Sequence, residues 1–173
     1  MSLSIKMVQN AYVVESIEEA AEEFHKSFGL GPFMVVRDFK LANHKYRGTK
    51  TDDVIVDAAV TQSGDLQIEL VKVKSNVPNA ISDMHSGKGT VLHHVAHICD
   101  DYEKTRDDLV KAGYPIASEF TVGQGSEICF IDTRAAFNHM LELYSDSKFE
   151  KELYRIVRET TEKWDGRNLF IEW

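Results

Sequence analysis

Residues 8–18 read Val8-Gln9-Asn10-Ala11-Tyr12-Val13-Val14-Glu15-Ser16-Ile17-Glu18, and residues 93–103 read His93-His94-Val95-Ala96-His97-Ile98-Cys99-Asp100-Asp101-Tyr102-Glu103. The second stretch is the first in outline. Each is an apolar strand-like run, then a residue able to cap a helix, then a first helical turn. Each copy also closes on a similar strand, Gln67-Ile68-Glu69-Leu70 and Met140-Leu141-Glu142-Leu143. The openings are offset by 85 residues (94 against 9) and the closings by 73 (142 against 69). The difference of 12 is about the size of a polar segment, residues 40–52, inserted in the first copy. A duplicated unit with one insertion accounts for both offsets. Gln9, Glu69, His94 and Glu142 then occupy equivalent positions, and all four side-chain types bind divalent metals.

Working outward, residues 5–14 form a first strand. Ser16 caps a helix from Ile17 to Phe28, with Glu19 placed for a capping box. Gly29 and Gly31-Pro32 end it. Strands are predicted over 33–39, 53–61 and 65–74, and residues 40–52 are read as a loop carrying Lys40, Lys45, Arg47 and Lys50. Residues 75–90 link the copies. The second copy repeats the order: a strand over 91–99, a helix capped by Asp101 and ended at Ala112-Gly113, and strands over 115–121, 126–132 and 138–145. A last helix runs from Lys148 to about Lys163, with Leu153, Ile156 and Val157 at helical spacing. The aromatic tail through Trp164 and Trp173 is expected to pack over an opening or on a partner subunit. Met1-Ser2-Leu3 has the look of an expression scar. The reading is one α+β domain over residues 1–145, with repeat one at about 5–74 and repeat two at about 91–145. A C-terminal helix and tail follow over 146–173.

Composition narrows the class. The 173 residues are enough for a sizeable core. A net charge of -8 disfavours nucleic acid and anionic membranes as partners. No apolar run approaches a membrane span and no signal-peptide pattern opens the chain, so a cytoplasmic location is expected. Cys99 and Cys129 form no CxxC motif and read as buried, reduced thiols.

Strand alternation assigns faces. Leu66, Ile68 and Leu70 share one face, and Gln67, Glu69 and Val71 the other. Leu141 and Leu143 oppose Met140, Glu142 and Tyr144. The helices should cover the leucine faces, leaving Glu69 and Glu142 on the concave side with Gln9 and His94. A carboxylate among apolar neighbours is costly unless paired or bound to metal. By the same rule His93 and His97 fall on the outer face as structural residues, and Asp100-Asp101 is a helix cap.

Two βαβββ copies, Leu92-His93-His94-Val95-Ala96, and the paired Ile68-Glu69-Leu70 and Leu141-Glu142-Leu143 resemble the vicinal oxygen chelate superfamily. That superfamily includes glyoxalase I, methylmalonyl-CoA epimerase, bleomycin-resistance proteins and extradiol dioxygenases. The resemblance covers roughly residues 5–145. It implies a cup with a metal at its centre, held by Gln9, Glu69, His94 and Glu142, with two water positions completing an octahedron. The implied cofactor is one divalent ion: Ni, Co, Mg, Mn, Zn or Fe. Val13, Val73 and Thr90 stand where glyoxalase I grips glutathione with basic and amide groups. The linker and Gly29-Leu30-Gly31-Pro32-Phe33 look more like the epimerase branch, although Arg134-Ala135-Ala136-Phe137 replaces its glycine-bearing turn. One matching His, rather than two, counts against ring-cleaving dioxygen chemistry.

The resemblance implies a metal-dependent isomerase, epimerase or lyase acting next to a carbonyl of a small acid or acyl thioester. Glu142 and Glu69 would be the catalytic carboxylates, Glu142 first as base. Lys40, Lys45, Arg47 and Lys50 could meet a thioester's phosphates, or form a solvated basic turn. The rivals are a non-catalytic small-molecule binding or resistance protein and a dioxygenase. A small-molecule substrate and a homodimer are expected.

Overall fold

Alternating apolar residues build strands on both sides of each helix cap. The computed structural model describes residues 4–85 and 89–173. Met1-Ser2-Leu3 and residues 86–88 of the expected linker lie outside the described residues. Copy one comprises β1 (Gln9–Val13), α1 (Ile17–Phe28), β2 (Phe33–Tyr46), β3 (Thr49–Lys50), β4 (Val54–Ser63) and β5 (Leu66–Val73). Copy two comprises β6 (Val91–Cys99), α2 (Tyr102–Lys111), β7 (Ile116–Val122), β8 (Ser126–Ile131), α3 (Arg134–Phe137) and β9 (Met140–Ser145). The tail supplies α4 (Lys148–Glu162) and β10 (Phe170–Glu172). Ser16, Asp101 and Ser147 cap their helices by accepting the backbone N–H of Glu19, Lys104 and Glu150. Each such cap contributes about 1 kcal/mol. Gly29 ends α1 in the left-handed region, at φ 70°, where a side chain would be strained.

The strands form one curled sheet in the order β10-β2-β4-β5-β1-β6-β9-β8-β7. The order within copy two mirrors that within copy one. At the centre β1 and β6 run antiparallel, with β5 and β9 parallel to them on either side. The register makes the duplication concrete. Ala11 lies opposite both His94 and Glu69, and Ala96 lies opposite both Gln9 and Glu142. Exchanging the copies, Gln9 for His94, Ala11 for Ala96 and Glu69 for Glu142, leaves these pairings unchanged.

One expectation is corrected. Residues 40–46 are not loop: β2 continues to Tyr46, turns at Arg47-Gly48 and pairs with β3. The extension pairs Ala42, Lys45 and Tyr46 with β7, closing the sheet into a barrel. Its polar residues lie mostly outward, so hydropathy alone does not show a strand. Bulges after Val36 and Ala42 bend it, with Asp38 and Asn43 at positive φ.

Helices cover the leucine faces. Ile17, Ala20 and Ala21 of α1 pack with Leu70, Phe33 and Val35. Tyr102 and Leu109 of α2 pack with Leu141, Leu143 and both cysteines. The thiols are free and buried, and burial pushes Cys99 up to about 11 and Cys129 to about 12. The barrel interior is a separate apolar layer that includes Val13, Val71, Ala96, Phe120, Phe130 and Met140. Val157 of α4 lies against Met34 and Val60, and β10 adds to β2 in parallel. The tail thus closes on the chain's own barrel. Among the described residues no helix is long and apolar enough to cross a membrane.

Candidate metal centre

The barrel encloses a cavity of about 350 Å³, lined mainly by apolar side chains and by Gln9, Gln67, Glu69, His94, Glu142, Tyr144 and Glu150. All four expected ligands therefore face one space. The strands put them there: each carries the inward side of its register, and beside Glu69 and Glu142 the leucines Leu70, Leu141 and Leu143 pack with the helices.

Three of the four are in close approach. Nε2 of His94 lies 2.9 Å from Oε2 of Glu142 and 3.6 Å from Oε2 of Glu69. Gln9 is turned to other partners. Its amide donates to Oε1 of Gln67 at 2.5 Å, and its carbonyl accepts the Tyr144 hydroxyl at 3.2 Å. Gln67 and Tyr144 were legible as members of the inward face, two residues from each glutamate, but not as Gln9's partners.

His93 departs from the expected outer face. Ala11 pairs with His94 while Tyr12 pairs with Leu92, so His93 is the extra residue of a β-bulge. The bulge frees its ring to reach Nδ1 of His94 at 2.8 Å and the Ala80 carbonyl, through Nε2, at 3.0 Å. It is 1% exposed and meets Phe130 edge-on. Burial, reinforced by the neighbouring His94, holds His93 down to about 3, and burial holds His94 down to about 4. Both rings are neutral at pH 7. The tautomers then follow from counting protons. A carbonyl only accepts, so His93 carries its proton on Nε2 and its Nδ1 is bare. His94 must donate from Nδ1, which leaves its Nε2 as a lone pair aimed at the two carboxylates.

Burial pushes both Glu69 and Glu142 up from the ordinary carboxylate range. The contacts around His94 are therefore not an ordinary ion pair. Among the described residues, His94 Nε2 and Glu142 Oε2 are both buried and have no third group as a hydrogen-bond partner. Two lone pairs 2.9 Å apart repel unless a proton or a cation lies between them. In the metal-free protein the raised carboxyl of Glu142 supplies that proton, and a divalent ion would displace it. Among the described residues no three His, Cys, Asp or Glu side chains already stand as a ready metal cage. The separation nonetheless suits one. Two ligands at right angles, with bonds of about 2.1 Å, stand about 3 Å apart. Imidazole, carboxylate and amide oxygen suit a hard or borderline divalent ion.

Other candidates have structural partners. Lys40 pairs with Asp53, Lys45 with Glu119, and Arg47 with Asp83 and Asp132. His44 bridges Thr51 and Ser118, and His97 contacts the Lys6 backbone.

The family model described as the Glyoxalase/Bleomycin resistance protein/Dioxygenase superfamily matches residues 8–130. Among solved structures, a hypothetical protein from Bacillus halodurans C-125 superposes with a TM-score of 0.58 at 19% identity, over 84% of this chain and 97% of its own. A methylmalonyl-CoA epimerase gives 0.52 at 18%, over 86% and 99%. The methylmalonyl-CoA epimerase of Mycobacterium tuberculosis gives 0.54 at 16%, over 87% and 97%. At these identities the likeness concerns the fold. No curated protein matches the chain.

Proposed function

The chain belongs to the glyoxalase/bleomycin resistance protein/dioxygenase superfamily, and from that membership we propose a divalent-metal-dependent enzyme that moves a proton next to a carbonyl of a small acid. Isomerase, epimerase and lyase chemistry all fit that description. One observation carries the reading: the 2.9 Å approach of His94 Nε2 to Glu142 Oε2, with Glu69 beside them, which a proton bridges in the metal-free protein and a divalent ion would take over. Gln9, Glu69, His94 and Glu142 would hold the ion. A divalent ion bound there supplies positive charge for two neighbouring substrate oxygens as negative charge develops on them.

The chain's own groups do the rest. Glu142 is the proposed base. Burial raises its affinity for a proton toward the working pH, which suits a group that must take and release one. Glu69, 3.6 Å from His94, would act as its counterpart in returning the proton. His93 holds the His94 ring, and the apolar lining keeps bulk water from the reacting carbon.

Size and charge favour a small free acid over an acyl thioester. The cavity lies at the small end of ligand pockets. Three of the four cations of residues 40–52 are already paired with carboxylates. The dioxygenase reading wants two histidines and one carboxylate on the ion. Here Nδ1 of His93 is committed to His94. The test is solvent deuterium exchange, followed by NMR, on a panel of 2-oxo, 2-hydroxy and 2-substituted malonic acids with Mg2+, Zn2+ or Ni2+. Exchange next to the carbonyl of at least one acid, lost on chelation and in Glu142→Gln, is expected. Binding that survives chelation, with no exchange of any acid, would replace the enzyme with a sequestering protein.

A further inference from the structure

The helix α4 lies beyond the residues matched by the superfamily model, yet it contributes a carboxylate to the cavity. Glu150 is 1% exposed. Its Oε2 accepts from the Ser126 hydroxyl at 2.6 Å, while Oε1 is buried with no partner among the described residues. Ser126 has one hydroxyl proton, and a carboxylate is a stronger acceptor than the Ser147 oxygen 2.8 Å away. That proton goes to Oε2, and among the described residues no donor is bonded to Oε1.

The spacing of α4 suggests a plainer role. Ser147 and Glu150 have capping-box spacing, and Ser147 does accept the Glu150 N–H. The Glu150 carboxylate, however, turns to Ser126 and the cavity. A buried carboxylate oxygen without a donor costs stability on the order of kilocalories per mole, and here it lines the space where a substrate would sit.

Its position follows from the strand register. Glu142 pairs with Phe130 and Tyr144 with Ile128, and Ser126 lies two residues further along β8. At about 3.3 Å per residue, Ser126 is roughly 13 Å along the strand from the level of Glu142. Glu150 thus stands at the end of the cavity away from His94, past Tyr144. The rest of the lining is mainly apolar, with Met34, Phe39, Phe120 and Phe130 among it.

We propose that Glu150 is a specificity-determining residue: it receives a hydrogen-bond donor, a hydroxyl or an ammonium, on the end of the substrate opposite its chelating oxygens. The substrate class is then an apolar, aromatic-sized body with neighbouring oxygens at one end and a donor at the other. This deepens the proposed function and rests on it only for the chelating end.

The test is a matched series, 3-phenyllactate, 3-(4-hydroxyphenyl)lactate and 3-(4-aminomethylphenyl)lactate, titrated calorimetrically into the full chain with and without Mn2+. In the wild type, one donor-bearing acid should bind about tenfold or more tighter than 3-phenyllactate, as a hydrogen bond to a charged group allows. The acid that does so identifies the donor as hydroxyl or ammonium. In Glu150→Leu that ratio should fall to about one. Glu150→Gln keeps the shape and the Ser126 contact, so it serves if the leucine variant disturbs α4, and it should weaken an ammonium preference more than a hydroxyl one. A capping role alone would shift melting temperature and leave the ratio as it was. Equal binding of all three acids, a ratio untouched in Glu150→Leu, or no binding by any of them overturns the proposal. Metal-dependent binding without donor preference would fail Glu150 and spare the metal reading. Donor preference that ignores Mn2+ and survives chelation would do the reverse.

Discussion

The two copies of the repeat share one register and differ in what they build from it. In copy two, His94 and Glu142 touch, and the bulged His93 fixes the His94 ring. In copy one, the equivalent Gln9 is a neutral amide whose hydrogen bonds go to Gln67 and Tyr144, and Glu69 stands off at 3.6 Å. Backbone pairing therefore fixes where side chains are presented. What they do there depends on the atoms beside them. Copy two supplies a preformed half of the proposed metal site, and copy one a half that must adjust.

The largest effects should come from copy two. His94→Ala and Glu142→Ala are each expected to weaken divalent-ion binding by more than about 100-fold, beyond what loss of an outer partner costs. Gln9→Ala should cost clearly less, because Gln9 must first leave Gln67 and Tyr144. Titration calorimetry with Mn2+ checks the order. Equal losses in Gln9→Ala and His94→Ala would erase the asymmetry between copies.

The bulge comes next. His93→Phe fills the space but cannot accept from Nδ1 of His94. Ion affinity is expected to fall about 10–100-fold. In the metal-free protein, 15N NMR should show His94 losing its single tautomer. An unchanged tautomer in His93→Phe would remove His93 from the site's design.

A smaller effect concerns pH. Above about pH 7.5 both histidines are neutral in the folded chain and nearly so in the unfolded chain, because folding lowers their values from 6.5. Glu69 and Glu142 have raised values when folded. The unfolded chain has already released those protons, so the folded state binds more of them. Stability must then fall as pH rises. Below about pH 7.5 the histidines act oppositely: the unfolded chain takes protons that the buried rings refuse, so their contribution is lost as pH falls. Urea unfolding of the chelated protein should show a loss on the order of 1 kcal/mol from about pH 7.5 to 8.5. Glu142→Gln or saturating metal should flatten it, and a slope of the opposite sign would contradict the burial of these carboxylates. Least of all, Cys99 and Cys129 should resist iodoacetamide in the native state at pH 8, since burial keeps both protonated. Rapid native-state labelling would show that the helix-side core opens.

Much of this was legible in the chain. The β6 limits, the α1 limits and the division of leucines from glutamates follow from alternation and capping chemistry. The extension of β2 was not, because its polar side chains lie mostly outward and its pairing partner β7 is some 75 residues away. The His93 bulge was not either: an extra residue between the Ala11–His94 and Tyr12–Leu92 pairs leaves the hydropathy pattern intact while shifting the register of the strand before it. Glu150 hid behind the spacing of a capping box. In each case the missing information was a long-range partner rather than a local preference.

The most direct test of the central claim is elemental analysis of the protein reconstituted with Mn2+, Ni2+, Co2+, Zn2+ or Mg2+, run beside His94→Ala and Glu142→Ala. About one divalent ion per chain, lost in both variants, is the expected result. No retained ion, or a stoichiometry that both variants keep, would contradict a metal centre built on His94 and Glu142.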